Sequence, residues 1–240
     1  MTHSKSKEKI IIYCSCTENY INRVKILYNS LQKNVNINYE FIVRTVGFDP
    51  KKYSFFDDKK TIQTDDVVLS KEKTLLSLDN HYYSEEQAYS AKIRFIDIFN
   101  LLNTTSYNIL SLDADSIVRN NLDNLDNLLK HNDILAHLVL KSAKPHYRIK
   151  AGVVYAKNND NSKRFFKHVS NYLSTGNNLT TWFSEQVALY NAYNLKLAEF
   201  SNLPMSYIDW EFNKDSIIWT AKGSTKSNPI YQLEETLYEN

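Results

Sequence analysis

The sequence predicts an α/β protein whose mixed, mostly parallel sheet is flanked by helices. Short apolar and β-branched runs alternate with helical stretches in the first half of the 240-residue chain. This βαβαβ order is typical of parallel strands with helices on both faces of the sheet. The second half mixes strands and helices, and no linker separates the two halves. We therefore expect a single domain over residues 1–240.

The elements of the first half follow from hydrophobic periodicity and capping residues. The first helix has apolar residues three and four positions apart and begins at Thr17, a residue type that caps helices. The second helix opens with the capping-box pattern Ser84-Glu-Glu-Gln87. In order, we expect a strand at 9–14, a helix at 17–31, strands at 39–46 and near 67–69, a helix at 84–102 and a strand at 107–112.

The second half is read from the same signals. Gly176 follows a helical pattern and is typical of a helix end. Residues 142–148 are expected to form a loop in which His146 is exposed. In order, we expect a helix at 122–130, strands at 133–141 and 149–156, helices at 162–174 and 184–193, strands at 196–200 and 216–220, and a helix at 230–238.

Composition and charge exclude several kinds of protein. The formal net charge is +2, so nothing indicates a nucleic-acid partner. Cys14 and Cys16 are too close for an easy disulfide and wrongly spaced for a CxxC metal site, and two strand thiols in a reducing compartment are the simpler interpretation. No apolar run has the length of a signal peptide or a membrane span. We expect a cytoplasmic protein without an integral membrane segment.

Two aspartates end one of the predicted strands. Ile109, Leu110 and Leu112 predict a buried strand, and Asp113 and Asp115 stand where it runs out. Residues two apart on an extended chain point to the same face, so the two carboxylates can converge. Two unpaired carboxylates this close would raise each other's pKa. A Mg²⁺ or Mn²⁺ ion between them would relieve the repulsion and would also bind phosphates.

Three kinds of site contain such an acidic pair. An EF-hand loop needs alternate ligands and a central glycine, and Ile117 and Val118 stand at those positions. In a haloacid-dehalogenase phosphatase the motif opens the chain and an acidic pair follows later, whereas here the Asp-Asp pairs at 57–58 and 65–66 lie upstream. The remaining kind of site is that of a nucleotide-sugar transferase, in which a metal ion on the acidic pair holds a diphosphate.

The loop Lys222-Gly-Ser-Thr-Lys226 has the composition of a phosphate-binding loop. A strand ends before it, Gly223 permits an unusual backbone angle, and two lysines flank the turn. Backbone amides and ammonium groups together suit a diphosphate leaving group. A plain surface turn is the alternative interpretation.

The order of these segments resembles that of GT-A glycosyltransferases, above all the glycogenin-like family 8 and related short viral and bacterial enzymes. The resemblance covers about residues 9–226. The segments that carry it are Tyr13-Cys-Ser-Cys-Thr-Glu-Asn-Tyr20, Lys92-Ile-Arg94-Phe95, Leu112-Asp-Ala-Asp115, Lys150-Ala-Gly152-Val153, Ser184-Glu-Gln186 and Trp219-Thr-Ala-Lys-Gly223-Ser-Thr-Lys226.

The resemblance implies a nucleoside-diphosphate sugar as donor, with a UDP-sugar expected, and a glycan or other hydroxyl as acceptor. It implies a nucleotide-binding half at about 9–120 and an acceptor-binding half at about 121–240. Asp113 and Asp115 are the implied ligands of Mn²⁺ or Mg²⁺. The residues implied to bind the donor are Ser15, Thr17, Tyr20, Lys92, Arg94, Asp113, Ala114, Gly152, Lys222, Gly223 and Lys226.

The resemblance also implies the catalytic residues. Gln186 would face the reacting carbon of a retaining enzyme. An inverting enzyme needs a carboxylate base, for which Glu185, Asp209 and Glu211 are candidates. The chain departs from the family pattern at Thr220, where a histidine is the third metal ligand. Either Thr220 or water completes the metal shell, or the metal binds weakly and depends on the diphosphate.

Two other classes of function stay open. A metal-dependent phosphatase or pyrophosphohydrolase would use Asp113 and Asp115 and would release phosphate without an acceptor. A non-catalytic sugar-nucleotide or glycan-binding protein would use the aromatic residues, which make up 13% of the chain.

Overall fold

The computed structural model describes residues 9–64, 67–76 and 81–239, which form a single α/β domain. The strands are β1 (Ile10–Thr17), β2 (Tyr39–Val46), β3 (Lys60–Gln63), β4 (Leu75–Leu76), β5 (Tyr82–Tyr83), β6 (Asn108–Leu112), β7 (Ser116–Val118), β8 (Ile134–Leu138), β9 (Ile149–Ala156), β10 (Phe200–Asn202) and β11 (Ile218–Thr220). The helices are α1 (Ile21–Asn34), α2 (Glu85–Thr104), α3 (Leu125–Leu129), α4 (Asp160–Leu173), α5 (Ser184–Asn194) and α6 (Pro229–Thr236).

The main sheet has seven strands in the order β10-β8-β9-β6-β1-β2-β3. The pairs β1–β2, β1–β6, β2–β3 and β8–β10 are parallel, whereas β9 runs antiparallel to β6 and β8. The predicted mixed, mostly parallel sheet is therefore confirmed. Two short antiparallel ribbons, β7–β11 and β4–β5, lie outside this sheet. Because β1 and β6 are parallel neighbours, their carboxyl ends open on the same edge, which is where ligands bind in such sheets.

Helices cover both faces of the sheet, and the central strand β1 shows why. All eight of its residues are buried, and successive side chains point to opposite faces. Ile12 packs in the same apolar cluster as Leu27 of α1. Ile11 packs on the other face, in a cluster with Phe95 of α2. Among the helices within the described ranges, none combines the length and apolar character needed to cross a bilayer.

Two predicted features are wrong. Thr17 does not cap α1, because it is the last residue of β1 and α1 begins only at Ile21. It stands at the N-cap position of a short 3-10 turn, and its side chain makes no capping hydrogen bond there. Pairing with β2 continues as far as Thr17↔Val46 and keeps the backbone extended. No strand forms at 67–69, where Val68 is fully exposed. The edge strand is β3 instead, which pairs with β2 although its sequence is polar.

Other predictions hold with shifted boundaries. The capping box is confirmed, since Ser84 Oγ accepts from the Gln87 amide and Gln87 Oε1 accepts from the Ser84 amide, both at 3.2 Å. The strand predicted at 196–200 begins at Phe200, because Lys196 has a left-handed φ of 50° and pairing with β8 starts at Phe200. Residues 65–66, which include one upstream acidic pair, lie outside the described residues.

Candidate active site at the carboxyl ends of β1 and β6

Segments far apart in the sequence meet where β1 and β6 end. Asp113 follows directly on β6, and its amide donates to the Gly152 carbonyl of neighbouring β9 at 2.9 Å. Asp115 comes next, just before β7. Because β7 pairs with β11, the loop 222–226 that follows β11 is brought beside the acidic pair.

Asp113 is paired with Arg94. Arg94 projects from α2, and its Nη1 lies 2.5 Å from Asp113 Oδ1. Burial raises the pKa of Asp113, but the charges of Arg94, Lys222 and Lys226 outweigh this effect and hold the pKa below its ordinary value. Asp113 is therefore ionised at neutral pH in the folded protein.

Asp115 is paired with Lys226. The Lys226 Nζ lies 2.7 Å from Asp115 Oδ2, donates to Tyr20 Oη at 2.5 Å and lies 4.7 Å from the centre of the Tyr20 ring. Burial raises the pKa of Asp115 above its ordinary value, and the charge of Lys226 opposes this only in part. The Tyr231 hydroxyl on α6 donates to the Asp115 carbonyl at 2.7 Å and fixes the turn.

Neither carboxylate is unpaired, and for Asp113 this agrees with the resemblance, which implies Arg94 near the diphosphate or the acidic pair. Arg94 and Lys226 already supply positive charge at the acidic pair. Thr220 is fully buried, and its Oγ1 has no hydrogen-bond partner among the described residues. Within the described ranges, no three His, Cys, Asp or Glu side chains are grouped so that they could hold a metal. A resident Mn²⁺ or Mg²⁺ does not fit this arrangement unless Lys226 leaves Asp115.

Gly152 makes room for the carboxylate of Asp113. A Cβ atom at Gly152 would lie 2.8 Å from Asp113 Oδ2 and 3.4 Å from Ile208 Cδ1. Gly152 is implied to bind the donor, but the space that its missing side chain leaves is taken by the Asp113 carboxylate.

We expect the substitution Gly152→Ala to lower kcat/KM about tenfold, because the new methyl group displaces a carboxylate that Arg94 holds in place. The melting temperature should change little, since the clashing atom belongs to a side chain. Gly176→Ala is the matched control, because an added Cβ meets nothing within 4 Å there, but φ is +57°. It should lower stability and leave kcat/KM unchanged. Unaltered kinetics in Gly152→Ala would show that the position of Asp113 does not matter for the activity that the resemblance implies.

A second buried ion pair lies near Arg94. The Lys92 Nζ donates to the Ala88 carbonyl at 2.8 Å, lies 3.8 Å from Glu185 Oε2 and lies 5.2 Å from the Trp182 ring centre. Burial lowers the pKa of Lys92 to about 8, against the opposing effect of Glu185. Lys92 and Glu185, predicted for donor binding and catalysis, are thus direct neighbours.

Gln186 is tied to the backbone next to His146. With its amide oriented to satisfy both groups, Gln186 donates to the Ile149 carbonyl at 2.8 Å and to the His146 carbonyl at 3.0 Å. His146 was expected to be exposed, and this is wrong. Its ring is buried and stacks on Phe183, with centroids 5.1 Å apart. Phe183 precedes α5 with a left-handed φ of 67°, a strained conformation for a bulky residue.

Asp209 organises a loop. It is 1% exposed and accepts from the Glu211 amide, the Asn213 amide and side chain, and the Ser216 hydroxyl, at 2.6–3.1 Å. Burial raises the pKa of Asp209, but these hydrogen bonds bring it below its ordinary value. A carboxylate saturated in this way is a poor base, which argues against the catalytic role predicted for Asp209.

The remaining donor-binding candidates lie around the same edge. Ser15 is buried at the end of β1, and its hydroxyl donates to the Ser90 carbonyl at 2.5 Å. Thr17 is also buried, and Ala114 is buried between the two aspartates. Gly223 has a φ of 53°, as expected of a turn that requires glycine. The parts that these residues would play in nucleotide binding stay predictions.

Comparison with known proteins identifies the fold. No protein-family model and no curated protein matches the sequence. The glycosyltransferase GlyE of Streptococcus pneumoniae TIGR4 is similar in structure with a TM-score of 0.60 at 13% identity, over 97% of this chain and 62% of GlyE. LgtC, a galactosyltransferase solved with donor and acceptor sugar analogues, gives 0.60 at 12% identity, over 96% and 97%. Mouse xyloside xylosyltransferase 1 gives 0.51 at 10% identity, over 91% and 99%.

The fold is that of GT-A glycosyltransferases. At these identities the similarity establishes the fold and leaves the donor, the acceptor and the site residues to be argued from this chain. The chain spans about three-fifths of the length of GlyE.

Within this GT-A domain, sequence reasoning did not predict that Lys150 and Trp210 lie beside Lys222. Lys222 lies 4.5 Å and Lys150 lies 5.9 Å from the centre of the Trp210 ring. Burial lowers the pKa of Lys222 to about 8, against the opposing charge of Asp113. The signal was present in the sequence, since Lys150 stands two residues before Gly152, but only the fold shows that it lies near the loop 222–226.

Proposed function

We propose that this GT-A domain transfers a sugar from a nucleoside-diphosphate sugar, in the first instance a UDP-sugar, to an acceptor hydroxyl. One observation carries the proposal. Arg94, Lys222 and Lys226 surround the acidic pair at the carboxyl ends of two parallel strands, where such sheets bind ligands. A polar edge with this many cationic groups suits a diphosphate.

In the proposed reaction the bond between the anomeric carbon and the diphosphate oxygen breaks, and the electron pair leaves with the diphosphate. Lys222, Lys226 and Arg94 stabilise that developing negative charge, which is the main electrostatic task of the site. The acceptor oxygen forms the new bond to the anomeric carbon. Its proton passes to a carboxylate base or to the departing diphosphate.

The pair Lys92–Glu185 suits contact with the donor sugar, because it joins α2 to α5 close to Arg94. Gln186 follows Glu185 on α5 and has its amide oxygen left for such a contact. Glu185 is the candidate base of an inverting enzyme. Gln186 would instead stand beside the anomeric carbon of a retaining enzyme.

The predicted Mn²⁺ or Mg²⁺ has no step in this mechanism. Asp113 and Asp115, with Thr220, are the residues that would hold it, and it would add positive charge at the leaving diphosphate. The ion pair between Asp115 and Lys226 stands in the way of metal binding at this position. The acceptor is proposed to be a glycan or another hydroxyl compound that enters beside Trp210, on the side of Lys150.

The proposal predicts that UDP raises the melting temperature. At about 100 times its dissociation constant, a ligand stabilises the folded state by roughly 2.7 kcal/mol. We would measure melting curves with UDP, GDP, dTDP and ADP, and then follow release of UDP from UDP-sugars with and without sugar acceptors. Release that depends on an acceptor supports transfer, release without one indicates a hydrolase, and binding without turnover indicates a binding protein. Absence of any shift with all four nucleotides contradicts the proposal.

A further inference from the structure

Cationic side chains next to the acidic pair already supply the positive charge that a metal ion would bring. Arg94 Nη1 is 2.5 Å from Asp113, and Lys226 Nζ is 2.7 Å from Asp115. Lys222 acts electrostatically on both carboxylates, and Lys150 lies with it around Trp210. Arg94, Lys222 and Lys226 act on the two carboxylates. With Lys150, the fourth cation, beside Lys222, the region holds two more positive than negative charges. A nucleoside-diphosphate sugar has one negative charge on each of its two phosphate groups, so the protein alone can balance it.

The position of Lys226 is fixed by more than one contact. Its ammonium donates to Tyr20 Oη and lies over the Tyr20 ring while it bonds Asp115. Tyr231 holds the Asp115 backbone from α6, the helix that follows the turn Gly223–Ser227 in which Lys226 lies. An ammonium is a compact point charge with several donors, so it can bridge a carboxylate and a phosphate as a small cation does.

Thr220, which stands at the position of the third metal ligand, does not make up for the ion pair between Lys226 and Asp115. Thr220 offers a neutral hydroxyl that is fully buried. Hydroxyl oxygen is a weaker ligand than the imidazole or carboxylate groups that complete transition-metal sites. A divalent ion would therefore have to displace Lys226 and would then be held by Asp113 and Asp115 with little further help from the protein.

On the basis of the proposed function, we propose that Arg94 and Lys226 take the place of a divalent ion, so that this transferase binds its nucleotide and transfers sugar without a metal. When the bond from the anomeric carbon to the diphosphate oxygen breaks, the electron pair goes to that oxygen. The ammonium of Lys226 and the guanidinium of Arg94 meet the new charge directly. Asp115 and Asp113 orient these two cations and need not coordinate a metal.

The test is titration of UDP into the wild-type protein by calorimetry, first in EDTA and then in MnCl₂. The expected dissociation constants agree within about twofold. A dissociation constant that is about tenfold or more weaker in EDTA and recovers in MnCl₂ overturns the metal-free site and leaves the proposed function standing. No binding in either buffer by UDP, GDP, dTDP or ADP overturns both.

A pair of lysine variants tests the role of Lys226. Lys226→Met should weaken UDP binding in EDTA about tenfold or more, because a charge-assisted contact is lost. Since Asp115 is then free of its ammonium, MnCl₂ should restore much of the affinity. The matched control Lys222→Met removes a cation that is not within ion-pair distance of Asp115, and MnCl₂ should not restore its loss. Wild-type affinity of Lys226→Met in EDTA overturns the proposal. The wild-type titration decides the question if either variant fails to fold.

Discussion

The substitution Arg94→Met should reduce kcat/KM about 100-fold or more, because a preorganised cation next to the leaving diphosphate is removed. The guanidinium also holds Asp113, and the carboxylate will shift once it is unpaired. The effect on stability should be only on the order of 1 kcal/mol, because the Asp113 side chain is 30% exposed and water can reach it. Steady-state kinetics with a UDP-sugar and a melting curve measure the two quantities.

Arg94→Lys separates charge from geometry at the same position. A lysine keeps one positive charge but cannot provide the planar fork that matches a carboxylate or phosphate. We expect kcat/KM of Arg94→Lys to lie between that of Arg94→Met and that of the wild type. If Arg94→Met loses stability but not kcat/KM, Arg94 is a structural residue and the proposed site is wrong.

The substitution Arg44→Met should destabilise the protein by about 3–5 kcal/mol, because it leaves a buried carboxylate without its partner. Arg44 Nε and Nη2 bind the two oxygens of Asp97 at 2.7 and 2.5 Å, and the Asp97 side chain is 3% exposed. The Tyr13 hydroxyl also donates to Asp97, but it cannot replace a positive charge. Denaturant unfolding measures the loss, and kcat/KM of the folded protein should stay within about twofold of the wild type.

Arg44→Met is also the matched control for Arg94→Met, since both remove an arginine that pairs with an aspartate at 2.5 Å. The double variant Arg44→Met/Asp97→Asn removes the buried charge as well and should recover much of the stability. A double variant as unstable as Arg44→Met would mean that the unpaired charge is not the cause of the loss.

The fold was largely predictable from local pattern. Strands β2 and β9 lie where apolar and β-branched runs predict them, and the capping box at Ser84 places the start of α2. Predictions failed where pairing between strands overrides the structural preference of the local sequence. Thr17 has the right chemistry for a cap but belongs to β1, and β3 is a polar edge strand that forms only because β2 offers a partner.

For the candidate site too, local features were predictable from the sequence and contacts between distant segments were not. The sequence by itself determined that two aspartates follow a buried strand and that Gly223 stands between two lysines, because both patterns are local. Only the tertiary structure decided that Arg94 and Lys226 pair with those aspartates. These contacts depend on how α2 packs on the sheet and on the register of β7 with β11. The charge state of a carboxylate pair depends on such distant partners, which neighbours along the chain do not reveal.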